Sequence, residues 1–213
     1  GSYLHNVLHG RLLHTLYWPL FRKAFGPEDS WGSRDALVGF CGTGREALAI
    51  RPFVRSLVAF DGNPNCVDRV RMLFDEDPGV QVFENDGFSL KEVPDGVFDM
   101  ATALVALMHI CSAAVRKNYM REFHRTLKPG GTFFFQEARQ SRPEIHGWDD
   151  FEGVEGYGMN GTGFPDVAAL VSYTESFGFK VANVKETPNP VGAGPDPWWW
   201  VTAVKPLAGG VKT

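Results

Sequence analysis

Glycines and aspartates stand in this chain where a ligand-binding loop needs them. In Ala36-Leu-Val-Gly-Phe-Cys-Gly-Thr-Gly44 a short apolar run gives way to Gly42 and Gly44. Small residues there let the backbone approach a ligand, while amides at the start of a following helix face it. Asp61 closes the next apolar run, in Val58-Ala-Phe-Asp-Gly62, and a carboxylate so placed accepts hydrogen bonds from both hydroxyls of a ribose. Asp86 follows a third run, in Phe83-Glu-Asn-Asp-Gly-Phe88. Its carboxylate can accept from an adenine amino group while Phe88 or Phe40 covers the ring. Each residue alone is a common turn former. At the ends of consecutive strands they describe a cleft for a nucleoside.

Such a turn needs a strand before it and a helix after it. Apolar runs at Ala36–Phe40, Ser56–Phe60, Val80–Phe83, Phe98–Leu104 and Gly131–Phe135 alternate with helical patterns over Arg45–Phe53, Asn65–Phe74 and Ser112–Leu127. Parallel strands covered by helices on both faces read this way. Lys128-Pro-Gly-Gly131 reads as a helix stop and a turn into the fifth strand. Farther on, Phe164–Phe177 reads as a helix, and Phe179–Glu186 and Pro197–Lys205 as two strands with no helix between them, hence an antiparallel pair. Alternation sends Trp198 and Trp200 to one face and Trp199 to the other, where packing against helices is expected. Leu4, Leu8, Leu12, Leu16 and Leu20 mark an amphipathic helix over Tyr3–Phe25 that Pro19 kinks or splits. The expected fold is α/β: a doubly wound, Rossmann-like sheet, mostly parallel with an antiparallel final strand, plus an N-terminal helical cap.

With 213 residues, 44% of them hydrophobic and 13% aromatic, the chain has material for one sizeable core and no compositional case for disorder. It is read as a single domain over 1–213, with 1–33 as the cap. Residues 138–164 have little periodicity and many glycines, and a stretch of that length inside a domain reads as a substrate or lid loop. Lys and Arg number 21 against 25 Asp and Glu, mixed along the chain for a net charge of −4. No basic stripe offers itself to phosphate backbones, so no nucleic acid partner is expected. The three cysteines, Cys41, Cys66 and Cys111, are isolated and odd in number. They suggest neither a disulfide framework nor a metal knuckle and fit a reducing, cytoplasmic setting. No apolar run approaches the ~18 residues that span a bilayer, and membrane insertion is not expected. His5 and His9 have helical spacing but no third ligand beside them, so no metal site is expected. Oligomeric state is not legible.

Taken in order, these segments resemble the class I S-adenosylmethionine-dependent methyltransferases. The resemblance is to the small-molecule branch that includes ubiquinone- and menaquinone-biosynthesis enzymes, and it runs from Asp35 through Glu137, with weaker similarity in the final strands. Phe40-Cys-Gly-Thr-Gly44 resembles the family's glycine-rich motif, Asp61 its ribose-binding acid, and Asp86-Gly87 its adenine-binding turn. Phe98 to Ile110 resembles the fourth-strand motif, and Leu127-Lys-Pro-Gly-Gly131 the turn before strand five. The resemblance implies S-adenosylmethionine as cofactor, held by Phe40, Cys41, Gly42, Gly44, Asp61, Gly62, Asn63, Asp86, Gly87, Phe88 and Leu104, and a small-molecule methyl acceptor. Two positions depart from the pattern: Val38 replaces an acid of the first strand, and Phe40 the first glycine. The methionine ammonium is then met by a turn shifted onto Gly39 or by an acid elsewhere, or the chain has lost methyl transfer.

Methyl transfer needs an in-line approach to the sulfonium carbon, and positioning and desolvation supply much of the rate. A base is needed only for a hydroxyl or a protonated amine. His109 matches a histidine frequent in the family and is a candidate base or substrate orienter; the plainer reading is a histidine hydrogen-bonded at the start of the next helix. Glu137, just after the fifth strand, can bind a cationic or hydroxylated substrate. His146, with Trp148, Asp149, Asp150 and Phe151 in the long loop, can form a substrate wall. Two other functions compete. A nicotinamide-dependent oxidoreductase also places a glycine turn and an acid, but Gly39, Gly42 and Gly44 lack the G-x-G-x-x-G spacing and no Tyr-x-x-x-Lys pair is present. The other is a non-catalytic binding module of the same fold.

Overall fold

The apolar runs become strands close to their expected bounds, because each is a short stretch rich in β-branched or aromatic residues between turn formers. The computed structural model describes residues 17–110, 112–139, 163–188 and 197–207. Packing divides the chain into two units, Gly1–Glu84 and Asn85–Thr213.

In the first unit α1 (Trp18–Phe25) leads to β1 (Asp35–Gly39), α2 (Arg45–Ile50), β2 (Ser56–Asp61), α3 (Pro64–Leu73) and β3 (Val80–Glu84). The strands run parallel in the order β3-β2-β1, with Leu37 beside Val58 and Ala59 beside Val82. Pro19 stands in the first turn of α1, where the missing N–H costs no hydrogen bond. Residues 3–16 of the expected amphipathic helix lie outside the described residues. Trp18 meets Trp31 and Phe53 at ring-centroid distances of 5.7 and 5.4 Å. The buried Trp31 donates its indole N–H to the carbonyls of Phe25 and Gly26, combining apolar area with a satisfied donor. Pro64 opens α3, and the Asn63 side chain caps it by accepting from the Asn65 amide at 3.0 Å.

The second unit holds β4 (Phe98–Ala103), α4 (Ala113–Thr126), β5 (Leu127–Ala138), α5 (Val167–Glu175), β6 (Lys180–Thr187) and β7 (Trp198–Val204). The order is β4-β5-β7-β6, with β4 and β5 parallel and β7 antiparallel to both of its neighbours. All three tryptophans of β7 are buried. Trp198 and Trp200 share a face with centroids 6.0 Å apart, and Trp200 stacks on Phe134. The Trp199 and Trp200 indoles donate to Glu186 and Thr187 of β6. No helix among the described residues is long and apolar enough to cross a membrane.

Several boundaries differ from expectation: the fifth strand, expected over Gly131–Phe135, runs Leu127–Ala138 and so contains Glu137, and the helix expected over Arg45–Phe53 is α-helical only to Ile50. Lys128–Gly131 does not precede the fifth strand but bulges out of it: Leu127 already pairs with Phe98, and the next match is Met100 with Thr132. Gly130 adopts φ +82°, and the chain on either side of it is held by the Lys205 backbone at 2.7 and 2.9 Å. The Lys205 ammonium donates to the carbonyls of His124 and Leu127, placing a cation at the C-terminal end of α4. The helix expected over Phe164–Phe177 is shorter. Pro165 disfavours helical backbone at Phe164, which pairs with Arg139 instead. Asp166 is extended and caps α5 by accepting from the Ala169 amide at 2.8 Å.

A methyl group on Gly131 would stand 2.8 Å from the Lys128 carbonyl oxygen and 3.1 Å from that of Phe98, both backbone atoms. Gly131→Ala is expected to lower the unfolding free energy by about 1–3 kcal/mol. Urea unfolding reads this as a lower midpoint at unchanged m value; an unchanged midpoint would show that the bulge yields freely.

Candidate functional site

The glycine turn of the first unit is built by backbone geometry that its sequence barely allows. Phe40, Gly42 and Gly44 all have positive φ, at 53°, 51° and 92°, and for Phe40 that conformation carries strain of about 1–3 kcal/mol. Gly44 also has no room for a side chain, since a Cβ there would lie 2.9 Å from a Leu73 methyl and 3.2 Å from one of Val70. Around Gly42 a Cβ meets nothing within 4 Å, so the turn is open on that side. Asp61, half-buried at the end of β2, accepts from the Gly42 amide at 2.8 Å through Oδ2 and from the Asn63 amide at 2.9 Å through Oδ1. Each oxygen keeps a lone pair, which is what two neighbouring ribose hydroxyls require. Gly62 and Asn63 continue that turn on the surface. Phe40 packs edge-on against Phe60 at 5.2 Å. Burial pushes the Cys41 thiol up to about 12, so the cysteine of the turn is a neutral packing group and not a nucleophile.

In the second unit the expected adenine turn is self-contained. Asp86 Oδ1 accepts from the amides of Phe88 and Ser89 at 2.9 and 2.6 Å, and Oδ2 from the Ser89 hydroxyl at 2.8 Å, with the Lys91 ammonium 3.4 Å away. The Ser89 and Phe88 amides, above all, hold this carboxyl well below the usual range. Its acceptor capacity is therefore spent on its own turn, where Gly87 takes φ +75°. Phe88 is left 48% exposed, available to a flat ring. Leu104 is buried just beyond β4, and the next residue, Val105, has φ +53°, an outlier for a β-branched side chain. His109 ends a short 3₁₀ turn, Leu107–His109, with its amide bonded to the Ala106 carbonyl. Its side chain reaches solvent, yet protein packed against the ring pushes its pKa down and favours neutral imidazole.

Glu137 is not the solvated strand end that its position allows. It is 3% exposed, and its Oε2 has no hydrogen-bond partner. It lies opposite Trp199 in the β5–β7 ladder. Arg116 of α4 and Tyr173 of α5 are within electrostatic reach of it. Sequence reasoning missed Arg116 and Tyr173. The available signal was an arginine on the buried stripe Arg116, Tyr119, Met120, Phe123 of α4, where an unpaired charge is costly. It missed Glu46 as well, a buried acid in the first turn of α2. His146 lies outside the described residues, as do Trp148, Asp149, Asp150, Phe151, His5, His9 and Cys111. Among the described residues no group of His, Cys, Asp and Glu is gathered for a metal ion.

Residues 38–135 match the family model described as "Methyltransferase domain". No curated protein sequence matches the chain. Solved structures share its fold at low identity. One is a SAM-dependent methyltransferase from Methanosarcina mazei, 19% identical over 89% of this chain and 98% of that one, with a TM-score of 0.64. A second is the N-methyltransferase NodS from Bradyrhizobium japonicum WM9 in complex with S-adenosyl-L-homocysteine, 15% identical over 89% and 85%, TM-score 0.65. A third is the [4+2]-cyclase SpnF, 18% identical over 93% and 81%, TM-score 0.70. The fold is thus the doubly wound, Rossmann-like sheet expected, mostly parallel and with an antiparallel strand at its end.

The Glu137 environment makes a prediction independent of any ligand. Burial pushes its pKa from the ordinary 4.5 up to about 8, against the opposing pull of Arg116. Between those two values the native state holds a proton that the unfolded chain has lost, so this residue's contribution to stability is complete at low pH and disappears as pH rises toward 8. Glu137→Gln is expected to flatten the pH dependence of the thermal midpoint across that window and to gain on the parent most at its alkaline end. Parallel midpoint curves for the two proteins would mean that Glu137 is ionised throughout.

Proposed function

We propose, from the match of residues 38–135 to a methyltransferase domain model and the fold shared with a SAM-dependent methyltransferase, that the chain transfers a methyl group from S-adenosylmethionine to a small-molecule acceptor. The observation that carries this reading is Asp61. Its carboxylate is pre-oriented by the amides of Gly42 and Asn63 and keeps one lone pair on each oxygen, so a ribose diol binds without reorganising the turn. When bound, the cofactor supplies an electrophilic methyl on its sulfonium. The chain's own residues then have three tasks. Gly42, Gly44, Asp61, Gly62 and Asn63, with Phe40 and Cys41, hold the ribose side. Gly87, Phe88 and Leu104 cover the adenine, with Asp86 keeping their turn in shape. His109, neutral near pH 7, orients the acceptor or takes its proton, and Glu137, which carries its own proton there, orients the acceptor as a hydrogen-bond donor.

A small acceptor suits the excess of acidic over basic residues better than nucleic acid does. A second reading draws support from the cyclase that shares the fold and from Val38, which offers no charge to the cofactor's amino acid end: the domain binds a cofactor or its by-product and serves a reaction other than methyl transfer.

S-Adenosylhomocysteine is expected to raise the thermal midpoint while NAD and NADP do not. Stabilisation by a nicotinamide and none by S-adenosylhomocysteine would overturn the assignment. Asp61→Ala is expected to weaken S-adenosylhomocysteine binding by roughly 1.5–3 kcal/mol in calorimetry, the worth of a charge-assisted hydrogen bond, with the fold intact. Unchanged affinity would reject the ribose role. Release of S-adenosylhomocysteine from S-adenosylmethionine across amine, hydroxyl and thiol acceptors separates the two readings, since the second expects cofactor binding without turnover.

A further inference from the structure

A bound S-adenosylmethionine brings a positive charge that the residues so far assigned do not meet. Its amino acid end carries an ammonium, and burying a cation without an acceptor is costly. Val38, in β1 just before the glycine turn, is 1% exposed and apolar. Asp61 is committed to the ribose side, where the Gly42 and Asn63 amides orient it. A further acid lies against the same turn. Glu46 stands in the first turn of α2, directly after Arg45 and close behind Gly44, and is only 5% exposed. Its negative charge reaches the Cys41 thiol inside the turn and the Tyr17 phenol. Arg45 donates to Glu46 through Nε at 2.9 Å and also through Nη2, and both contacts fall on Oε1. Oε2 keeps its lone pairs. The guanidinium is thus bonded to one carboxylate oxygen and leaves the other for another donor.

We propose that Glu46 binds the methionine ammonium of the cofactor through Oε2, with Arg45 as its positioning residue. Glu46 supplies from α2 the negative charge that β1 lacks at Val38. The proposal rests on the methyltransferase reading above. It explains how an apolar first strand is compatible with a zwitterionic ligand, because the acid has moved from the strand to the first helical turn beyond the glycines.

The test is calorimetry on the full chain with two ligands, S-adenosylhomocysteine and 5′-methylthioadenosine. They share the nucleoside and the sulfur, and the second has no amino acid group. Glu46→Gln is expected to weaken S-adenosylhomocysteine roughly ten- to a hundred-fold and to leave 5′-methylthioadenosine unchanged, which also reports an intact turn. Equal S-adenosylhomocysteine affinity in variant and parent overturns the proposal. Parallel loss of both ligands in the variant also overturns it and makes Glu46 a structural member of the turn. A parent protein that binds neither ligand removes the cofactor reading itself, and the proposal with it, an outcome distinct from the other two.

Discussion

The two hydrogen bonds that Asp61 accepts, from Gly42 and from Asn63, tie the end of β2 to the turn after β1 and to the first residue before α3. One carboxylate thus sets the relative position of three backbone segments. The arrangement depends on Gly42 being able to reach φ +51° and on β1 and β2 keeping a register in which Gly39 lies beside Phe60. It also depends on the buried strand residues beneath, which hold both strand ends still. Strain at Phe40 is compatible with this frame, since the strand before it and the Asp61–Gly42 bond after it leave the backbone little alternative. A site of this kind is pre-organised, and binding does not have to bear the cost of ordering it.

The acids at strand ends show how differently the same group is treated by its surroundings. Asp86 is surrounded by donors from its own turn, foremost the Ser89 and Phe88 amides, and is held in the charged form. Glu137 is buried and is driven toward the neutral form, because desolvation outweighs the attraction of Arg116. Glu46 is buried as well, with Arg45 bonded directly to one of its oxygens. A buried acid whose Oε2 has no partner is expensive to maintain, and Glu137 is therefore a place where the second unit holds a proton near neutral pH.

Much of the architecture was legible before any coordinates, for a local reason. Apolar runs of strand length, the helical patterns between them and the glycines after β1 act on their immediate neighbours, so their spacing carries the element order, the glycine turn and the place of Asp61. Local reasoning erred where an element's partner came from far along the chain. The Lys128–Gly131 turn is absorbed into β5 because Lys205, remote in sequence, supplies its hydrogen bonds. The late start of α5 has a local cause as well, since Pro165 disfavours helical backbone at Phe164, which pairs with Arg139.

The sequence by itself determined the order of strands and helices, the glycine turn and the place of Asp61 at a strand end, since those follow from periodicity and turn chemistry. Only the tertiary structure decided which acids are solvated, which are spent on their own turns and which are buried without a partner. Asp86, Glu46 and Glu137 all precede or follow ordinary-looking stretches. Asp86 is held charged by the amides of Phe88 and Ser89, Glu46 is bonded to Arg45, and Glu137 is driven toward the neutral form by burial, with Arg116 and Tyr173 within electrostatic reach. Desolvation and Coulomb energy depend on everything within a few ångströms, and for Glu137 that neighbourhood comes from elements distant in the sequence.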